Sequence, residues 1–202
     1  MLPTVQVILA SASPRRRELL TLAGIPHTVS PADIDESIHS GEAPRVHVER
    51  LAREKAAVIA ARFPDALIVA ADTVVVLDGD IIGKPASVED AERTLARLQG
   101  RTHTVVTGMA LVLNGATVSG VEDVAVTFGS LTAADISEYV ATGEPMDKAG
   151  SYAIQGYGAT IVRQIDGDYF AVMGLSLVRL VELMKQLGVR YHFGGAPLSM
   201  ST

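Results

Sequence analysis

Ala66-Leu67-Ile68-Val69-Ala70-Ala71-Asp72-Thr73-Val74-Val75-Val76-Leu77 is the stretch whose reading decides the fold class. It is apolar, rich in β-branched residues and only about a dozen residues long, whereas a membrane span needs about 20. It therefore reads as a core strand, ended by the turn sequence Asp78-Gly79-Asp80, with Ile81-Ile82 as a hairpin partner. Asp72 is the anomaly in it. An ionised carboxylate buried without a partner costs several kcal/mol, so Asp72 must meet a cation, a donor network or water.

Working outward from this strand, helical and extended patterns alternate. Val5 to Ala10 predicts a short strand that feeds a helix at Ser13-Pro14, where serine can cap and proline suits the first turn. Leu19, Leu20, Leu22 and Ala23 form the expected inward face of that helix, and Gly24 ends it. His27 to Ser30 predicts a short strand. Pro44 to Arg62 predicts a helix whose inward positions are Val48, Leu51, Ala52, Lys55, Val58 and Ile59, a lysine among apolar residues. Ser87 starts another helix with Ala91, Leu95 and Leu98 inward. Thr104 to Leu113 and Thr117 to Phe128 flank Asn114-Gly115 as a hairpin, and Thr132 caps a helix that ends near Gly143. Glu144 to Gly158 reads as irregular, Ala159 to Ile165 as a strand, and Leu175 to Leu187 as an amphipathic helix. Helices interleaved with strands, together with two hairpins, imply a mixed α/β sheet in one domain over residues 1–189. Residues 190–202 show no periodicity and are expected to be a disordered tail.

Composition excludes several classes. With no cysteine among 202 residues, disulfides, thiolate metal sites and cysteine nucleophiles are impossible. A net charge of −6 and only 4% aromatic residues argue against a nucleic-acid partner. No leader or spanning pattern stands out, so a cytoplasmic, membrane-independent protein is expected. The Gly-Lys-Ser/Thr phosphate loop, the dinucleotide Gly-x-Gly-x-x-Gly and the Gly-x-Ser-x-Gly elbow are all missing, and the five histidines show no paired metal spacing.

Charge placement points to an anionic ligand. Arg15-Arg16-Arg17 sits at a helix N-terminus, where the macrodipole disfavours cations but free N–H groups bind phosphate. Lys55 has a plain alternative, snorkelling to solvent. Lys84 in Gly83-Lys84-Pro85 and Lys148 in Asp147-Lys148-Ala149-Gly150 add cations, and Asp33, Asp35 and Glu36 offer carboxylates suited to a hard cation or simply to water.

Taken in order, Ala10-Ser11-Ala12-Ser13-Pro14-Arg15-Arg16, Glu36, Lys55, Ala71-Asp72-Thr73, Gly83-Lys84-Pro85, Glu144-Pro145-Met146-Asp147-Lys148-Ala149-Gly150 and Ile154-Gln155-Gly156 resemble the Maf family of nucleoside triphosphate pyrophosphatases over residues 5–187. The resemblance implies a Maf/inosine-triphosphatase-like fold, with an elongated mixed central sheet flanked by helices, a nucleotide cleft and a homodimer. It implies hydrolysis of the α–β phosphoanhydride, with Asp72 activating water. A divalent cation, Mg²⁺ or Mn²⁺, would be held by Glu36 and Asp72. Ser11, Ser13, Arg15, Arg16, Lys55, Lys84 and Lys148 would bind phosphate. Arg15, Thr73 and Gln155 match the branch acting on dTTP and UTP, with modified pyrimidine nucleotides as a possible extension, rather than the branch acting on 7-methyl-GTP. The amide of Gln155 can both donate to and accept from a pyrimidine O4/N3 edge. A nucleotide-binding regulator of cell division without turnover is the alternative from another class. Met173-Gly174-Leu175-Ser176 departs from the family, which carries proline at the serine position; this puts the entry to the last helix in question.

Overall fold

A computed structural model describes residues 4–201. A seven-stranded mixed sheet has the order β2-β1-β3-β5-β6-β7, with β4 paired to β3. The strands are β1 (Val7–Leu9), β2 (Thr28–Val29), β3 (Leu67–Leu77), β4 (Asp80–Ile82), β5 (Thr102–Leu113), β6 (Ala116–Phe128) and β7 (Val162–Asp166). The helices are α1 (Pro14–Leu22), α2 (Pro44–Ala60), α3 (Val88–Leu98), α4 (Ala133–Ala141), α5 (Tyr169–Val172) and α6 (Leu177–Gln186). β1 runs parallel to β2 and β3, whereas β3/β4 and β6/β7 are antiparallel. The mixed sheet expected from the pattern is therefore present.

The chain divides into two compact units. The first holds the chain up to Asp72, Thr107–Glu122 and the chain from Gly174 onward; the second holds Thr73–Val106 and Asp123–Met173.

In the first unit α2 covers the even-numbered side of β3. Ala52, Ala56 and Ile59 pack with Ile68, Ala70, Ala110 and Val112, because residues spaced by two share a strand face and residues spaced by three or four share a helix face. Small side chains let α2 come close, and Gly108 on β5 marks the tightest point, where a Cβ would collide with the Val48 carbonyl. In the second unit Val75, Leu77, Leu95, Leu98, Val126, Phe128 and Ile136 form the core. Helix α3 is capped by Ser87 accepting from Asp90 N at 3.2 Å, and α4 by a reciprocal Thr132–Asp135 box.

Several expectations are corrected. Leu22 is 67% exposed, because α1 is short and buries only Leu19 and Leu20; Val58 also faces water. Ser13 occupies the N-cap position of α1, but its hydroxyl makes no capping bond. The irregular stretch after α4 winds into three 3-10 turns, Glu144–Asp147, Ala149–Ser151 and Gly156–Thr160, so the following strand starts at Val162. The chain after β7 turns into the short helix α5, where Asp168 accepts from Phe170 N at 2.8 Å. Ser176 does the work expected of proline at the entry to α6, accepting from Arg179 N at 3.1 Å. The stretch expected to be disordered pairs instead, β8 (Val189–Arg190) with β9 (Ser199–Met200), while Leu198 O accepts from Val5 N and Tyr191 donates to Ala23 O. Isolated apolar residues such as Leu198, 2% exposed, anchor it without any periodicity to read.

Candidate functional site

Period two along β3 carries the side chain after Ile68 and Ala70, that of Asp72, onto the face covered by α2. On α2 the same logic puts Lys55 beside Ala52, Ala56 and Ile59. The two meet: Lys55 Nζ donates to Asp72 Oδ1 at 2.7 Å. Both are nearly buried, at 7% and 8% exposure, so Lys55 does not snorkel. The same ammonium reaches Glu36 Oε1 at 2.6 Å, with Glu36 more than half exposed.

The loop bearing Glu36 is tied to α2 by groups that sequence reading passed over. Glu42 accepts from Arg50 Nε at 2.6 Å and Arg50 Nη2 at 2.8 Å, a bidentate pair, and Arg50 Nη2 also donates to Ser37 O at 3.0 Å. Arg50 holds the Glu42 carboxyl far below its usual range, opposed by desolvation and helped by His47 and the His39 N–H. The only available signal was a glutamate just before a helix and an arginine two turns into it, a pairing too common to single out.

Arg16 completes this set. Its Nη1 donates to Ser11 Oγ at 3.0 Å and its Nε to Gly174 O at 2.8 Å, while Ser11 Oγ also accepts from Ser13 N at 3.2 Å. Burial lowers the pKa of the guanidinium; the Asp72 charge opposes that, neighbouring Arg15 adds to it, and Glu36 opposes it. Ser11, Ser13, Arg15, Arg16, Glu36, Lys55 and Asp72 thus belong to one unit, with Lys55 at the junction of two carboxylates.

Thr73, Lys84, Lys148 and Gln155 belong to the second unit. There Gly150 N donates to Gly83 O at 3.0 Å, which joins the loop of exposed Lys84 to the loop of Lys148. Gly150 has φ +72, and a Cβ on it would press into Val75, so glycine is required at this crossing. Lys148 Nζ donates to the Glu144 carbonyl and to Asp147. Gln155 is exposed, just before the turn Gly156–Thr160.

Glu36 and Asp72, which the resemblance assigns to a divalent cation, converge on one cationic position, now filled by an ammonium. Carboxylate oxygens are the donors a hard divalent cation takes, but here the Lys55 ammonium holds the point on which the two converge. Among the described residues, no group of three or more histidines or carboxylates comes together that could hold a metal. A separate cavity of about 340 Å³ in the second unit is lined by Asp135 and Glu138 and by no cation, which does not suit a phosphate. No helix among the described residues is long and apolar enough to cross a membrane.

Residues 6–187 match the family model described as Maf-like protein. The chain belongs to the Maf family. It is 53% identical over 186 residues to a dTTP/UTP pyrophosphatase of Moorella thermoacetica, covering 91% of this chain and 96% of that one. A protein of the same name from Symbiobacterium thermophilum is 47% identical over 191 residues, 95% of this chain and 98% of its own. The one from Myxococcus xanthus is 49% identical over 183 residues, 91% and 93% of the two chains. The solved structure of the Staphylococcus aureus Ham1 protein is similar at a TM-score of 0.44 with 16% identity, over 61% of this chain and 71% of that one.

Proposed function

We propose that this Maf protein hydrolyses dTTP and UTP, and modified pyrimidine nucleotides of the same edge chemistry, to the nucleoside monophosphate and pyrophosphate. The observation that carries the proposal is the buried Lys55–Asp72 pair with Glu36 and Arg16 around it, in a chain whose relatives bear that name. An ammonium among small apolar side chains is costly to bury, and so is a nearly buried carboxylate on a central strand. Both make sense where a polyanion and a water have to be handled.

In this proposal Asp72 takes the proton of the attacking water as its oxygen bonds to phosphorus. The α–β bridging bond breaks, and pyrophosphate leaves with the electron pair. Lys55 orients the Asp72 carboxylate through Oδ1, while Ser11, Ser13, Arg15, Arg16, Lys55, Lys84 and Lys148 supply donors and positive charge for phosphate oxygens. Such stabilisation dominates phosphoryl transfer, which asks little covalent chemistry of the protein. Glu36 and Asp72 would hold Mg²⁺ or Mn²⁺, which when bound acidifies water and neutralises phosphate charge. Arg15, Thr73 and Gln155 serve selection of the base, Gln155 by donating to and accepting from the O4/N3 edge. Action in the cytoplasm and as a homodimer belong to the same proposal.

The test is a nucleotide panel with Mg²⁺ or Mn²⁺ and chromatographic identification of products. Pyrophosphate from dTTP and UTP is expected. Orthophosphate release, preference for 7-methyl-GTP, or binding measured by calorimetry without turnover would each overturn the proposal.

A further inference from the structure

The segment that carries Gln155 is bound on both sides by one pair of side chains. Glu144 Oε1 accepts from Gly158 N at 2.9 Å and from the Tyr139 hydroxyl at 2.8 Å, and Glu144 Oε2 accepts from Tyr157 N at 3.0 Å. The Tyr139 oxygen in turn accepts from Ala153 N at 3.0 Å. Backbone N–H groups two positions before and two after Gln155 therefore end on the same Glu144–Tyr139 pair. The fit is close: Gly156 has φ +63, and a Cβ there would overlap the Glu144 carboxylate, while a Cβ on Gly158 would strike the Ala153 carbonyl. Tyr139 is 6% exposed and anchored in the core with Val140 and Ile136.

We propose that Glu144, braced by Tyr139, is a positioning residue that fixes the backbone around Gln155 and thereby sets the pyrimidine preference; this rests on the proposed role of Gln155. The chemistry requires such a device. A primary amide carries a donor and an acceptor side by side, and turned by half a rotation it pairs as well with the N3/N4 edge of cytosine as with the O4/N3 edge of uracil. An exposed glutamine on a loose loop would accept both. Holding the flanking backbone fixes where the side chain starts and restricts which edge it meets.

The experiment compares kcat and KM for UTP and CTP in Glu144→Gln, Tyr139→Phe, Gln155→Ala and the double variant Glu144→Gln/Gln155→Ala. In Glu144→Gln the amide N–H₂ must face a backbone N–H, so at least one bond is lost, yet Lys148 keeps its bond to the residue 144 carbonyl. Expected are a KM for UTP raised at least about tenfold with kcat changed far less, and a collapsed UTP-over-CTP ratio of kcat/KM. The double variant should be no worse than Gln155→Ala alone. If Gln155→Ala collapses the ratio while Glu144→Gln and Tyr139→Phe leave it within about twofold, the positioning role is wrong and the role of Gln155 stands. A ratio untouched by Gln155→Ala removes the role of Gln155 itself, and the proposal with it. Should Glu144→Gln fail to fold, Tyr139→Phe, which keeps the buried ring, decides alone.

Discussion

Replacing Lys55 by methionine isolates the energetic role of the buried ion pair. Methionine is unbranched and close to lysine in length, so it fills the space beside Ala52, Ala56 and Ile59 and leaves little cavity. What it removes is the ammonium between Asp72 and Glu36. The two carboxylates respond differently, because the Asp72 side chain is 11% exposed and that of Glu36 56%. Glu36 turns to water at little cost. Asp72, on the central strand under α2, loses its hydrogen-bonded partner and keeps only its attraction to the Arg16 guanidinium, a loss that costs about 3–5 kcal/mol. At about 2–4 °C per kcal/mol for a chain of this size, the melting midpoint should fall by roughly 6–20 °C. K55M/D72N, which removes the stranded charge as well, should recover at least half of the loss while remaining inactive in the pyrophosphate assay. Midpoints of the variants, followed by circular dichroism in low salt, check this. A K55M protein within about 1 kcal/mol of the parent, or a double variant no more stable than K55M, would refute the view that the pair is buried and mutually dependent.

Two further outcomes follow from other parts of the structure. His103 donates to or accepts from the Tyr152 hydroxyl at 2.8 Å, its Nδ1 is buried without a partner, and burial lowers its pKa to about 4. With the unfolded value near 6.5, its contribution is whole above that pH and is lost as pH falls toward 4, up to about 3 kcal/mol. Urea unfolding of H103Q should therefore lose less stability between pH 7.5 and 4.5 than the parent, and equal losses would exclude His103 as a source of the acid sensitivity. Gly108→Ala presses a methyl into the backbone of α2 at Val48 and should cost about 1–3 kcal/mol; an unchanged thermal midpoint would mean that α2 does not approach β5 this closely.

The legible parts of the fold are those governed by local rules. Asn114-Gly115 sits at φ 49 and 80, and the hairpin of β5 and β6 closes there; Ser87 and Thr132 cap the helices they were expected to cap. Where only long-range packing decides, local pattern failed. Leu22 looks like a core residue on a helical wheel, yet α1 has nothing to bury it against. Residues 190–202 look formless, yet Leu198 and Ser199 are buried and Arg190 pairs with Ser199 where β8 meets β9. The candidate site divides in the same way. Asp72 and Lys55 are visible because each breaks an apolar pattern, and a broken pattern is a local observation. Glu42, Arg50 and Tyr139 break none, so they pass unnoticed.

The amino-acid sequence by itself determined that a mixed α/β sheet forms, that Asp72 lies inside it, and that Lys55 breaks the apolar face of its helix. Periodicity, turn chemistry and the cost of buried charge depend only on neighbours in the chain. Only the tertiary structure decided which cation Asp72 meets, that Lys55 serves two carboxylates at once, and that Glu144 rather than any residue of its own segment steadies Gln155. These partners lie 17, 36 and 11 residues apart respectively for Lys55–Asp72, Glu36–Asp72 and Glu144–Gln155 in the chain. Nothing local ties them; the pleat of β3, the pitch of α2 and the turns after α4 bring them together.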